Sequence, residues 1–262
     1  MDLGLRNKVA LVCGSSKGLG RAVAEGLAQE GARVAICARS AEPLKAAAEE
    51  ISGQTGMEVL PIVADVTKEE DARRLVDGVE HKWGSVEILV NNAGGPPSGP
   101  FENHVFGEWE KALQLNFLSA VRLCRRVVPS MKTRRWGRII NITSITVKQP
   151  VDGLILSNAV RAAVVGFAKS LANELGPFGV LVNNVCPGYT KTDRVVKLAE
   201  VQAKDGRTVQ EIYQNWEKQI PLGRLAEPAE FASLVTFLAS ERASYITGAT
   251  IAVDGGFIRS LL

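Results

Sequence analysis

Cys13-Gly14-Ser15-Ser16-Lys17-Gly18-Leu19-Gly20 is the segment whose residue types and spacing point most directly to chemistry. It follows an apolar run and opens an amphipathic one. Between a strand and a helix, Gly14 permits a tight turn, Gly18 lets the backbone approach a pyrophosphate, and Gly20 lets the helix pack on the strand. The helix N-terminus supplies amide donors and the positive end of a dipole, beside Ser16, Lys17 and Leu19. A dinucleotide is the ligand that suits such a loop. Arg39 lies 19 residues beyond Gly20, at the end of the next apolar run. An acidic residue there would bond a ribose 2′-hydroxyl, whereas Arg39 together with Lys17 suits a 2′-phosphate. NADP(H) is therefore expected in preference to NAD(H). The competing reading is that both cations are solvated surface charges.

The elements that must hold this loop are legible as a rhythm. Lys8–Cys13, Arg33–Ala38, Glu58–Val63, Val86–Asn91, Arg138–Ile142, Val180–Val185 and Thr250–Val253 read as strands. Leu19–Gln29, Ala41–Ile51, Lys68–Lys82, a long stretch from Val105 to Met131, Ser157–Leu175 and Ala229–Ala239 read as helices. Continuously apolar strands alternating with helices mean a parallel sheet buried on both faces. The expected fold is α/β: a single-domain Rossmann doubly wound parallel sheet of about seven strands, spanning residues 1–262. Residues 189–220, polar and helix-prone after a strand end, are placed where a substrate lid would sit.

Composition narrows the classes. In 262 residues, hydrophobic side chains make up 46% and charged ones 23%, the mix of a globular enzyme, and the net charge is only +3. No basic stripe suggests nucleic acid, and no uninterrupted apolar run reaches the roughly 18 residues of a membrane span. Cys13, Cys37, Cys124 and Cys186 are scattered without a C-x-x-C pair, which argues against a disulfide scaffold or a zinc site. They fit a reducing compartment, and a cytoplasmic location is expected. No pair of His or carboxylate residues has metal-ligand spacing, so no metal is expected.

Taken together, Gly14-x₃-Gly18-x-Gly20, Asp65-Val66, Asn91-Asn92-Ala93-Gly94, Asn116, Ser144, Pro187-Gly188 and the ending Val253-Asp254-Gly255-Gly256 resemble the short-chain dehydrogenase/reductase family over nearly the whole chain. The resemblance is strongest to bacterial 3-oxoacyl-acyl-carrier-protein reductases. It implies that Asp65 and Val66 border the adenine, that Asn92, Ala93 and Gly94 line the cofactor, and that Asn116 orders a water and helix geometry. It also places Pro187, Gly188, Thr190 and Thr192 at the nicotinamide end. It implies a homotetramer or homodimer built through the two long helices and the C-terminal strand, and a small-molecule carbonyl or alcohol substrate.

At one place the resemblance breaks. Such enzymes pair a Ser with a Tyr about 13 residues later and a Lys four residues beyond that, on one helix face. Here Ser144 is followed at those positions by Ser157 and Arg161, with the frame set by the helix continuation Gly166-Phe167-Ala168-Lys169. The alignment thus reads both Tyr and Lys as absent, as in reductase-like members that lack the usual pair. Arg161 is expected to hold the cofactor ribose, though a guanidinium cannot pass protons. A serine is a far weaker acid than a phenol, and general acid catalysis contributes roughly 10²–10⁴-fold. Substitute proton donors are Tyr189 and Lys148, with Asp152 and Asn158 as weaker candidates; His104, at the start of the helix after the Gly95–Pro100 loop, could border substrate, and His81 reads as surface. Three functions remain open: an NADP(H)-dependent oxidoreductase using Ser144, Asn116, Ser157 and Arg161, a nucleotide-binding sensor or partner subunit without turnover, and a non-redox enzyme on the same fold.

Overall fold

In a computed structural model of the chain, which describes residues 1–203 and 207–261, seven parallel strands form one sheet. They are β1 (Val9–Cys13), β2 (Arg33–Ala38), β3 (Val59–Val63), β4 (Ile88–Asn91), β5 (Gly137–Ile142), β6 (Val180–Pro187) and β7 (Thr250–Val253). Their order is β3-β2-β1-β4-β5-β6-β7. The strands expected from sequence stand within two residues of these bounds. The apolar runs are continuous because both faces are covered. Ala10 and Val12 point into one core, with α1 (Gly18–Gln29), α2 (Ala41–Thr55) and α9 (Pro228–Ala239). Val9, Leu11 and Cys13 point into the other, with α3 (Glu69–Trp83), α5 (Ser119–Arg134) and α6 (Ile155–Leu175). Alternating side chains therefore all become buried.

The chain order reverses between β1 and β4. At such a switch point the connecting helices leave on opposite faces, which opens a crevice beyond the strands' carboxyl ends. The glycine loop, the segment after β4, the Ser144 turn and the segment after β6 all meet there.

Three expectations are corrected. The stretch Val105–Met131 is not one helix. It is α4 (Phe106–Leu113), a π turn over Gln114–Leu118, and α5. The extra residue of the π turn sets Asn116 inward, where it is buried. Second, the 189–220 segment, expected to be helix-prone, is more regular than its polar sequence suggested and helps form a small core of its own. It holds α7 (Asp193–Gln202) and α8 (Val209–Gln219), packed around Trp216 and Ile212, while its residues 204–206 lie outside those described. Thr208 caps α8 reciprocally with Glu211: its hydroxyl accepts from the Glu211 N–H at 3.2 Å, and its own N–H donates to the carboxylate at 2.7 Å. Third, Ile155–Phe178 is long and apolar enough on average to cross a membrane, with mean hydropathy 1.3 and 39% of its window buried. Arg161 and Lys169 interrupt it as a continuous apolar run, and its inner face lies on the sheet as the helix α6.

Candidate active site

The glycine loop is shaped by close packing. Gly14 and Gly18 have φ of +57° and +60°, conformations that side chains resist. A Cβ on Gly20 would lie 2.4 Å from the Gly14 carbonyl oxygen, so helix and strand can approach only at a glycine. A Cβ on Gly18 would meet nothing nearer than the Thr192 methyl at 3.5 Å, so that position faces open cleft. Ser15 ties the loop to β2: its hydroxyl donates to Val12 O at 2.7 Å and accepts from Cys37 N at 3.1 Å. Asn92 ties it to β4, donating to the carbonyls of Cys13 and Gly14 at 3.1 Å each. The three elements of the switch point are thus one hydrogen-bonded unit.

This unit walls one end of a cavity of about 550 Å³. Ser16, Lys17, Gly18, Leu19, Arg39, Asp65 and Val66 line that end, and Asn92, Ala93 and Gly94 line the middle. Ser144, Ser157, Arg161, Pro187, Gly188, Thr190 and Thr192 line the rest. Two expected residues lie off the wall. Gly20 is beneath the loop. Asn116 is behind, facing a separate void of about 20 Å³ shared with Arg161. Its Nδ2 donates to Gly94 O at 2.9 Å, while its Oδ1 has no protein partner. Such a void is large enough for one water.

Asp65 accepts from the Thr67 amide and hydroxyl at 3.0 and 2.7 Å. Partial burial opposes its ionisation, but these bonds, with Arg39 beyond, hold its carboxyl below the usual range. Arg39 is exposed and has no ion-pair partner among the described residues. Lys17 does: its ammonium meets Asp193 of α7 at 2.7 Å, across the mouth of the cleft. The two cations expected to share one role are therefore differently engaged.

At the other end, Ser144 caps a short turn by accepting from Thr146 N at 3.2 Å, and Thr146 Oγ1 lies 3.3 Å from Ser157 Oγ. Arg161 is buried. It donates to the carbonyls of Ile142 and Thr143 at 3.0 and 2.9 Å, and to Ala93 at 3.5 Å. Burial, and then the neighbouring Arg194, lower its pKa to about 10, so it stays charged at neutral pH. Tyr189 stacks on Trp216 at 4.4 Å, and burial raises its pKa. That makes it a weaker acid than a free phenol, against the role of substitute donor. Lys148 and Asp152 lie off the cavity wall, and Asp152 is exposed. Asn158 is spent on the Val151 carbonyl at 3.1 Å. His104 lies off the cavity wall, its ring held by Glu108 at 2.9 Å and Gly99 O at 3.3 Å. His81 is exposed on α3.

A sequence profile for the family described as enoyl-(acyl carrier protein) reductase matches residues 14–258. The chain is 39% identical over 256 residues to the 3-oxoacyl-acyl-carrier-protein reductase of Aquifex aeolicus, covering 98% of this chain and 99% of that one. The chain belongs to the short-chain dehydrogenase/reductase family. Among solved structures, the L-sorbose reductase of Gluconobacter frateurii, complexed with NADPH and L-sorbose, superposes on this short-chain dehydrogenase/reductase with a TM-score of 0.94. That pair is 36% identical, with 100% of both chains covered. The actinorhodin polyketide ketoreductase with NADPH gives 0.93 at 32% identity, over 97% of this chain and 98% of that one. Two wall residues of this short-chain dehydrogenase/reductase escape sequence reasoning. Thr146 joins Ser144 to Ser157, and Arg194 leans over Gly95 to donate to Pro96 O at 2.8 Å. Arg194 follows Thr192 by two residues, but only the three-dimensional path of α7 brings it to Gly95.

Proposed function

We propose that this chain is a single-domain NADP(H)-dependent oxidoreductase that interconverts a carbonyl and an alcohol, of the 3-oxoacyl-reductase type, with Ser157 and Arg161 where its relatives carry Tyr and Lys. The observation that carries this reading is the one continuous cavity joining the glycine loop and Arg39 to Ser144, Ser157 and Arg161. The loop fits a dinucleotide: Gly18 leaves space where a pyrophosphate would approach, above the N-terminus of α1. Arg39 would meet a 2′-phosphate. A bound nicotinamide supplies or accepts hydride. Arg161 would hold its ribose, and the 20 Å³ void behind would let Asn116 order a water. Ser144 and Ser157 would donate hydrogen bonds to the substrate oxygen, with Thr146 orienting Ser157. We also infer a homo-oligomer in a reducing, cytoplasmic setting. Phe101, Val105 and Phe106 are 64%, 70% and 78% exposed around the start of α4, a cost that a partner subunit would remove.

Titration with NADPH and NADH, repeated with Arg39→Asp, tests the cofactor. Tight NADPH binding lost in the variant supports the reading, and failure to bind either nucleotide rejects it. Turnover of a carbonyl panel, abolished by Ser144→Ala, tests the chemistry. A second reading, nucleotide binding without turnover, is favoured by the raised pKa of Tyr189 and the weak acidity of the two serines. Tight binding with no NADPH oxidation would select it.

A further inference from the structure

Two guanidinium groups flank the Ala93–Pro96 segment, and among the described residues neither has a carboxylate within ion-pair distance. Arg161 reaches it from the buried side through Ala93 O. Arg194 covers it from the mouth: a Cβ on Gly95 would lie 3.0–3.1 Å from the Arg194 Nε, Cζ and Nη2 atoms, so the planar group lies against that glycine. Both line the same cavity. Each repels the other, and their fixed partners are backbone carbonyls, which satisfy donors but do not neutralise charge. Charges left out of water without a counter-ion are costly. Over the whole wall, Lys17, Arg39, Arg161 and Arg194 face Asp65 and Asp193; the Lys17–Asp193 pair cancels, and Asp65 lies at the Arg39 end. The Ser144 end therefore carries uncompensated positive charge, and Arg194, with a single hydrogen bond from Nη2 to Pro96 O, keeps further fork-shaped donors of the kind that take a planar oxyanion.

We propose that Arg194, backed by Arg161, forms a carboxylate subsite, and that the substrate is a carbonyl compound bearing its own carboxylate rather than a neutral ketone. This rests on the reductase reading only for the word substrate; the anion site stands on its own geometry. Asp193, the preceding residue, touches Lys17 of the glycine loop, so a cofactor pyrophosphate is the other source of an oxyanion.

Calorimetry on the protein saturated with NADP⁺, which cannot reduce a ketone, separates these sources. The probes are acetoacetate and pyruvate, each against its methyl ester. The expected result is binding of an acid at least tenfold tighter than its ester. Arg194→Met should erase that preference, Arg194→Lys should restore part of it, and NADPH affinity should stay within about twofold in both. Equal affinity for acid and ester, no binding of either acid at millimolar concentration, or a preference that survives Arg194→Met would overturn the proposal. So would an Arg194→Met protein whose NADPH affinity falls while acid and ester weaken together, which would assign Arg194 to the pyrophosphate. Because binding is read without turnover, acid-selective binding with no NADPH oxidation would uphold the subsite and reject the reductase reading.

Discussion

Replacing Gly20 by alanine separates the packing role of the glycine loop from its binding role. The added Cβ would sit 2.4 Å from the Gly14 carbonyl oxygen and 2.7 Å from Asn92 Nδ2, inside the 3.0 Å that real Cβ atoms respect. The obstructing atom is backbone, so the loop must retreat by about 0.6 Å. Overpacking of this kind costs about 1–3 kcal/mol. The retreat also strains the two Asn92 hydrogen bonds to Cys13 O and Gly14 O, each contributing about 1 kcal/mol. Alanine recovers up to about 1 kcal/mol of helix propensity within α1. The net loss is about 2–4 kcal/mol, a fall in Tm of roughly 4–16 °C for a domain of this size. Gly18→Ala meets no clash and carries only the left-handed backbone penalty of about 1–2 kcal/mol. Its main effect should be on dinucleotide affinity, because its methyl would occupy the space the ligand needs. The assays are differential scanning calorimetry and NADPH fluorescence titration on both variants. A Gly20→Ala protein melting within 2 °C of the parent would refute the packing argument, and a Gly18→Ala protein with unchanged NADPH affinity would refute the binding one.

On the proposed function, the double variant Ser157→Tyr/Arg161→Lys should raise carbonyl reduction by about 10²–10⁴-fold, read as NADPH absorbance; no gain would mean the cavity does not place a phenol usefully. Asp193→Asn removes an ion pair whose side chains are about two-thirds exposed, so Tm should change by no more than a few degrees. Glu230 is held to a pKa of about 2, first by Arg224 and then by the Glu227 amide. A depressed carboxyl pKa stabilises above its unfolded value of about 4.3 and loses that contribution as pH falls toward 2, so Glu230→Gln should flatten the loss of Tm over that window. Burial raises the pKa of Cys124 to about 12, and Cys13 and Cys186 are also raised. Native protein at pH 8 should therefore resist iodoacetamide at these thiols and become reactive only on unfolding, as mass spectrometry would show.

The sheet was legible because its strands, covered on both faces, carry apolar runs such as Val9–Cys13 and Val34–Ala38 that have few other uses. The glycine loop was legible because each glycine answers a separate steric demand. The break at Gln114–Leu118 was not, since Gln-Leu-Asn-Phe-Leu carries ordinary helical propensity and only the packing of Asn116 against Gly94 selects a wider turn. Arg194 was hidden for a different reason. Its meaning depends on lying against Gly95, nearly a hundred residues earlier, and no local pattern encodes that meeting. His104 was only a weak candidate in the sequence, and its ring is engaged by Glu108, one helical turn on, at 2.9 Å.

The bridge between Lys17 and Asp193 has a consequence for affinity. Both residues line the cavity, and the bridge engages the lysine of the glycine loop. A phosphate arriving there competes with Asp193 for the same ammonium, so loading of the crevice loosens the α7 segment, and departure lets it clamp again. An ion pair this exposed contributes no more than about 1 kcal/mol, so the competition is mild. Dissolved salt weakens such pairs at their partly exposed surface. Raised ionic strength should therefore erode dinucleotide affinity through the phosphates, while Asp193→Asn, by removing the competitor for Lys17, should tighten it slightly at low salt, as fluorescence titration would show.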